Sequence, residues 1–135
     1  MNRKFLIFLT LIMWSHINGQ STFEFTYSNE NDHWPGDIIE DSSGNIIFSF
    51  FDTQLQNANL IKVDTNGLLM ESYIYSEPGS YCFIKNLLLQ NDGTFIGIGI
   101  YSNDTLNGLW YNRFDLNLNL ISDCKIKVEI GRAHV

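Results

Sequence analysis

The sequence predicts an all-β chain built from two copies of one four-stranded antiparallel unit. Three observations predict it. Two stretches repeat each other: DIIEDSSGNIIFSFFD, residues 37–52, and NLLLQNDGTFIGIGIY, residues 86–101. Each is followed by a second hairpin pattern, LIKVDTNGLL over residues 60–69 and YNRFDLNLNL over residues 111–120. Beyond the N-terminal apolar run, aromatic and β-branched residues are frequent, and no stretch shows the 3.6-residue apolar period of an amphipathic helix. A repeat of about 50 residues is the length of one β-propeller blade. The predicted fold class is therefore a partial β-propeller: two four-stranded antiparallel blades plus an N-terminal closing strand.

The elements follow in order. Residues 22–27, TFEFTY, alternate apolar and polar, the pattern of a half-buried strand. They stand one repeat ahead of the fourth strand of the first copy, where a strand from the chain start would close a ring and remove a sheet edge. Residues 29–36, NENDHWPG, read as a loop punctuated by Pro35 and Gly36. The first blade is expected over residues 36–75. Its first two strands flank a turn at Gly44, residues 53–59 form a polar connector, and residues 60–63 form the third strand. A turn at Asn66-Gly67, where positive φ is needed, leads into the fourth. The second blade is expected over residues 83–128, with its first turn at Gly93 and a departure at Leu116-Asn117-Leu118, where Thr65-Asn66-Gly67 stood. Gly97 and Gly99 alternate with Ile96, Ile98 and Ile100, which bares one face of that strand for a neighbouring sheet to approach. The alternative is a glycine-kinked strand in a β-sandwich.

The chain ends carry their own signals. Residues 1–19 have the form of a secretory signal peptide. Arg3 and Lys4 precede a short apolar run, and a small residue, Gly19, stands at the cleavage edge. That run is shorter than the ~20 apolar residues of a membrane span, so no span is expected after cleavage. Residues 129–135, EIGRAHV, resemble the translation of a widely used short-read sequencing adapter. They are read as a non-native tail, with the natural frame expected to run on past Val128.

Composition narrows the partners. The chain has 15 acidic residues against 8 lysines and arginines, a formal net charge of −7. Without the leader and tail the balance falls to about −9. No basic patch exists for nucleic acid. An exported chain enters an oxidising compartment. Cys82 and Cys124 are thus candidates for a disulfide, although they fall on strands at opposite radial positions of one blade, where the required Cα separation of under roughly 7 Å is hard to meet.

The D-x-x-x-x-x-x-G pattern paired with LIKVDTNGLL resembles secreted bacterial β-propeller repeat proteins, in which a Lys-Leu-Asp-like step enters an Asx-Gly turn and leaves apolar. The resemblance covers residues 38–128. It implies export and a propeller, and its motifs are turn chemistry rather than site chemistry.

Sites are sparse. Asp64-x-Asn66-Gly67 begins like a calcium loop, but Tyr75 stands where the twelfth-position Glu belongs. Glu30, Asp32, Asp37, Glu40 and Asp41 surround His33 and Trp34, a solvated acidic loop or a rim for a cation or sugar. No nucleophile elbow, phosphate loop or zinc set appears, so no cofactor and no catalytic residue is expected. Trp34, read as a loop residue, is the candidate surface contact. The expected function is a non-catalytic secreted or cell-surface module for binding, adhesion or scaffolding, with an extracellular protein or glycan as partner. The alternative is the propeller part of a secreted hydrolase or lyase whose catalytic region lies elsewhere.

Overall fold

The computed structural model describes residues 30–129. The expected signal peptide, the expected closing strand at 22–27, and residues 130–135 of the expected tail lie outside the described residues. Among the described residues all regular structure is β, in eight strands. The first sheet is a meander of β1 (His33–Glu40), β2 (Ile46–Asp52), β3 (Asn57–Val63) and β4 (Leu69–Tyr75). The second repeats it with β5 (Tyr81–Leu89), β6 (Thr94–Ser102), β7 (Asn107–Asp115) and β8 (Leu120–Lys127). All pairings are antiparallel. The bulges recur as well. The register shifts between Pro35 and Ile38 and again between Ile84 and Asn86, then between Lys62 and Val63 and again between Arg113 and Phe114.

The hairpins explain why the strands turn where they do. At Asp41 the backbone N–H donates to the Asn45 carbonyl (2.9 Å), and the Gly44 N–H donates back to the Asp41 carbonyl (3.0 Å). Asp41 Oδ1 accepts the N–H groups of Ser43 and Asn45 (both 2.9 Å). Asp64 and Asp115 make the same pattern. The fourth residue of this turn needs positive φ, which glycine adopts without steric penalty. Gly44, Gly67 and Gly93 hold it at 81°, 80° and 78°. Asn66 does not share that conformation; among the described residues the non-glycines with positive φ are Gln56 and Leu118. Leu118 (φ 61°) takes glycine's place in the departed turn. Its side chain is 3% exposed, and burying a leucine is worth roughly 1.5–3 kcal/mol, enough to offset the ~1–2 kcal/mol of the left-handed conformation.

Two readings of the sequence are corrected by the strand boundaries. Residues 33–36 are not loop but the start of β1, because a bulge after Pro35 accommodates a residue that cannot donate to a ladder. The polar connector ends earlier than expected: Asn57, Ala58 and Asn59 belong to β3 and are buried, with Asn59 Nδ2 donating to Asn57 Oδ1 (2.8 Å). The face bared by Gly97 and Gly99 is the one turned to the first sheet, and the space beside each glycine is taken up within its own sheet. A Cβ on Gly97 would stand 3.0 Å from the Ile84 side chain, and one on Gly99 would run into the Phe83 carbonyl of β5. At Gly36 a Cβ would meet Ser49 Oγ of its own sheet and the Ile84 carbonyl oxygen of the second sheet, the latter at 2.7 Å.

The sheets pack face to face around one core. Ile47, Ala58 and Leu60 of the first meet Cys82, Ile84, Leu87, Phe95, Trp110 and Phe114 of the second. Tyr73 stands edge-on to Phe114 (5.0 Å) and Tyr75 lies against Trp110 (4.4 Å). Polar side chains also tie the two sheets together. Asp37 Oδ2 accepts the Leu87 N–H (2.9 Å). Lys62, on the inward face with Ala58 and Leu60, donates to the Leu116 carbonyl (2.7 Å) and sits 3.0 Å from Asp41 Oδ2. Lys125 donates to the Tyr75 hydroxyl (2.9 Å) and to Glu77 (3.2 Å), with its ammonium 4.1 Å from the Tyr101 ring centre.

Burial pushes the Asp41 carboxyl up, but bonds from Lys62, Asn45 and Ser43 more than offset this and hold it below the usual range. Removing Lys62 leaves that carboxylate buried without its cation. Lys62→Ala is expected to lower the unfolding free energy by about 3 kcal/mol at neutral pH. A depressed carboxyl contributes stability above its unfolded pKa and loses it as pH falls through the folded value. The gap between wild type and variant is therefore full above about pH 5 and narrows below about pH 4. Urea unfolding across that range checks this; a gap under about 1 kcal/mol, or one that ignores pH, contradicts the pairing.

Candidate functional site

Strand alternation divides each sheet into two faces. On the first sheet, Ile47, Ala58 and Leu60 point to the second sheet, while Ile38, Phe48, Ile61 and Val63 point away, as the register Ile38↔Phe48↔Ile61 requires. Phe50, Ile61 and Val63 form a separate buried cluster there, with Ile46 and Phe48 packed against it. The bulge at Gly36 and Asp37 bends β1 and opens a groove of 680 Å³ beside this cluster. His33, Pro35 and Ile38 of β1 and Ile46, Phe48 and Val63 of β2 and β3 line it. A groove of this size and lining suits apolar side chains or a largely apolar ligand.

Its polar groups are tied into the fold. Ser49 Oγ accepts the Asp37 N–H (2.9 Å), which locks the bulge. The Asp37 carboxylate accepts the N–H groups of Ile38 (2.8 Å) and Leu87 (2.9 Å). The His33 ring stands edge-on to Phe50 (5.1 Å), with Nε2 3.7 Å from Asp52 Oδ2. Asp52 also accepts from Asn31 (2.8 Å) and from the N–H groups of Gln54 and Leu55. Burial works against its charge, and these bonds prevail, holding its carboxyl below the usual range. The lining is largely apolar, and its carboxylates serve as structural acceptors.

The structure distributes the sequence candidates rather than gathering them. Trp34 is in β1, not in a loop, with its ring tilted against Phe51 (5.8 Å) and half its surface exposed. The acidic cluster separates, Asp37 and Asp41 turning to Leu87 and Lys62. Among the described residues no three His, Cys, Asp or Glu side chains come together as a metal would require. The disulfide is not formed: Cys82 and Cys124 are both free. Cys82 lies in the inter-sheet core on β5, whereas Cys124 is exposed on β8, paired with Tyr111. Three strand spacings separate them, about 14 Å, and they point to opposite faces. Among the described residues no helix is long and apolar enough to cross a membrane.

Lys62 and Asn112 escaped the sequence reading. The signal for Lys62 was in the alternation: it shares parity with Ala58 and Leu60, so its charge had to be buried and partnered. Asn112 is fully buried between the sheets, and among the described residues its carboxamide has no hydrogen-bond partner, an arrangement that costs about 1–3 kcal/mol. The first sheet has Ile61 at the corresponding place.

Comparison with protein-family models, with curated proteins and with solved structures gives no match.

Burial pushes the Cys82 thiol up to about 11, with the Glu77 charge adding to the effect. A thiol reagent at pH 8 is therefore expected to modify Cys124 at once and Cys82 at least ~100-fold more slowly, until denaturant is added. Equal rates at the two cysteines in the folded chain contradict the packing of β5 against the first sheet.

Proposed function

We propose that this chain is a two-blade part of a β-propeller, exported from the cell, that serves as a non-catalytic binding or scaffolding module. The observation that carries this reading is the sense in which the sheets pack. Gly44 and Gly93 mark the same place in the two repeats, as do Gly67 and Leu118. By that alignment Phe95 corresponds to Ile46, Gly97 to Phe48 and Phe114 to Val63. The second sheet thus offers the first sheet the face that corresponds to the first sheet's far face. Two sheets related by a two-fold axis, as in a symmetric sandwich, would bring like faces together. Here unlike faces meet, the head-to-tail relation that a ring of blades repeats.

Export rests on the leader-like residues 1–19, and the binding role on surface chemistry. In this reading Trp34 is an aromatic contact at the start of β1, available to an extracellular protein or a glycan, because tryptophan combines a large apolar face with a polar N–H.

Two readouts test the proposal. A reporter fused behind residues 1–19 is expected in the medium or at the surface; retention inside the cell contradicts export. The chain is expected to bind on an array of glycans and extracellular proteins, with Trp34→Ala weakening that binding at least ~10-fold without changing the melting temperature. Binding indifferent to Trp34, or no binding at all, overturns the role given to it.

A further inference from the structure

We propose that Asn66 is a site of spontaneous covalent modification, in which the Gly67 backbone nitrogen displaces the carboxamide nitrogen and leaves an acid at the tip of the β3–β4 hairpin. The proposal goes beyond the binding role and is independent of it, because a hairpin tip reacts alike whatever covers the faces of the sheet. Among the described residues two Asn-Gly steps occur, Asn66-Gly67 and Asn107-Gly108, and both continue into a leucine. Glycine lets the following nitrogen approach the asparagine side chain, since no Cβ stands in the way. The reaction needs water alone. The Gly67 nitrogen attacks Asn66 Cγ, its proton leaves with the amide nitrogen as ammonia, and a cyclic imide remains. Water then opens the ring. Attack at the side-chain carbonyl gives aspartate. Attack at the main-chain carbonyl gives isoaspartate, whose backbone runs through the side-chain carbon.

The structure separates the two steps. Both asparagines are exposed, so water reaches either. At Asn107 the backbone is fixed from both sides. Gly108 pairs with Tyr101 of β6 and with Lys127 of β8. The Asn107 carbonyl accepts the Val128 N–H (3.1 Å), and a Cβ on Gly108 would run into the Ile126 carbonyl. Ring closure there requires two ladders to part. At Asn66 only the turn must open: the Gly67 N–H leaves the Asp64 carbonyl (3.0 Å), and the Asn66 N–H leaves Asp64 Oδ1 (2.8 Å). Beyond the turn, β4 lies at one end of the strand order and is mostly exposed, so the tip opens at low cost. The product does not restore the turn. The Leu68 N–H first, and then the backbone and carboxamide of Asn66, hold the Asp64 carboxyl below the usual range. An acid at position 66 puts a second negative charge beside it in place of a donor, and isoaspartate lengthens the backbone between Asp64 and Leu68. β4 carries Tyr73 to Phe114 and Tyr75 to Trp110, so a loosened hairpin weakens the joint between the sheets.

The test holds the full folded chain at mildly alkaline pH in water enriched in heavy oxygen and follows both peptides by mass spectrometry. The Asn66 peptide is expected to take up heavy oxygen as two separable products, at least ~10-fold faster than the Asn107 peptide. In urea the two rates are expected to converge, because both steps then read Asn-Gly-Leu in an open chain. Equal rates in the folded chain, or an Asn66 that reacts only in urea, overturn the proposal. Aged wild type is expected to melt at least ~3 °C below fresh protein. Asn66→Gln, whose longer side chain closes the imide poorly, is expected to keep its melting temperature through the same ageing. A wild type that has reacted at Asn66 and melts as before, or an equal loss in Asn66→Gln, overturns the effect on the joint.

Discussion

A sheet that is apolar on both sides must be covered twice, and among the described residues each sheet is covered once, by the other. The strands dictate this. β2 and β3 place Ile47, Ala58 and Leu60 on one face and Phe48, Ile61 and Val63 on the other. An antiparallel sheet with one solvated face would show polar residues at every second position; these strands do not. The second sheet has the same two-sidedness, with Ile98, Leu109 and Ile126 opposite the core that holds Phe95, Trp110 and Phe114. Gain from burial is proportional to apolar area removed from water, so an open face is a standing drive toward a further sheet.

The polar ties decide how the covered faces are aligned. Apolar contact alone is non-directional and tolerates sliding. Asp37 to Leu87, Lys62 to Leu116 and Lys125 to Tyr75 each join a side chain of one sheet to one acceptor or donor of the other. Their bond lengths leave little freedom to slip. Lys62 also joins the interface to the hairpin at Asp41, so the turn that shapes the first sheet and the contact that docks the second share one carboxylate. The Lys125 ammonium is maintained against the penalty of burial by the Tyr75 hydroxyl and Glu77, which hold its pKa above the usual range.

The all-β class and the two meanders were legible because turn chemistry is local. Asp41, Asp64 and Asp115 each bind their own backbone, and a residue three places on supplies positive φ. The boundaries at β1 and β3 were less legible, since Pro35, Gly36, Asn57 and Asn59 look like loop residues until a bulge or a buried neighbour accounts for them. Leu118 was read as a departure from the turn because its compensation, burial against the other sheet, is not local. The groove was invisible for the same reason. It exists only once β1 bends at Gly36 and the far face is known. The obstacle to a Cys82–Cys124 pair was legible too, since the repeat already sets the two cysteines at opposite edges of one meander, and both are free.

The account depends on unlike faces meeting inside one chain, and nuclear Overhauser contacts between labelled aromatic rings and methyl groups read that directly. Tyr73 is expected to show contacts with Phe114, and Tyr75 with Trp110, from ring separations of 5.0 and 4.4 Å. Contacts instead from Tyr73 and Tyr75 to Ile98 or Tyr111, on the other face of the second sheet, would mean that like faces meet, and the head-to-tail account would fall.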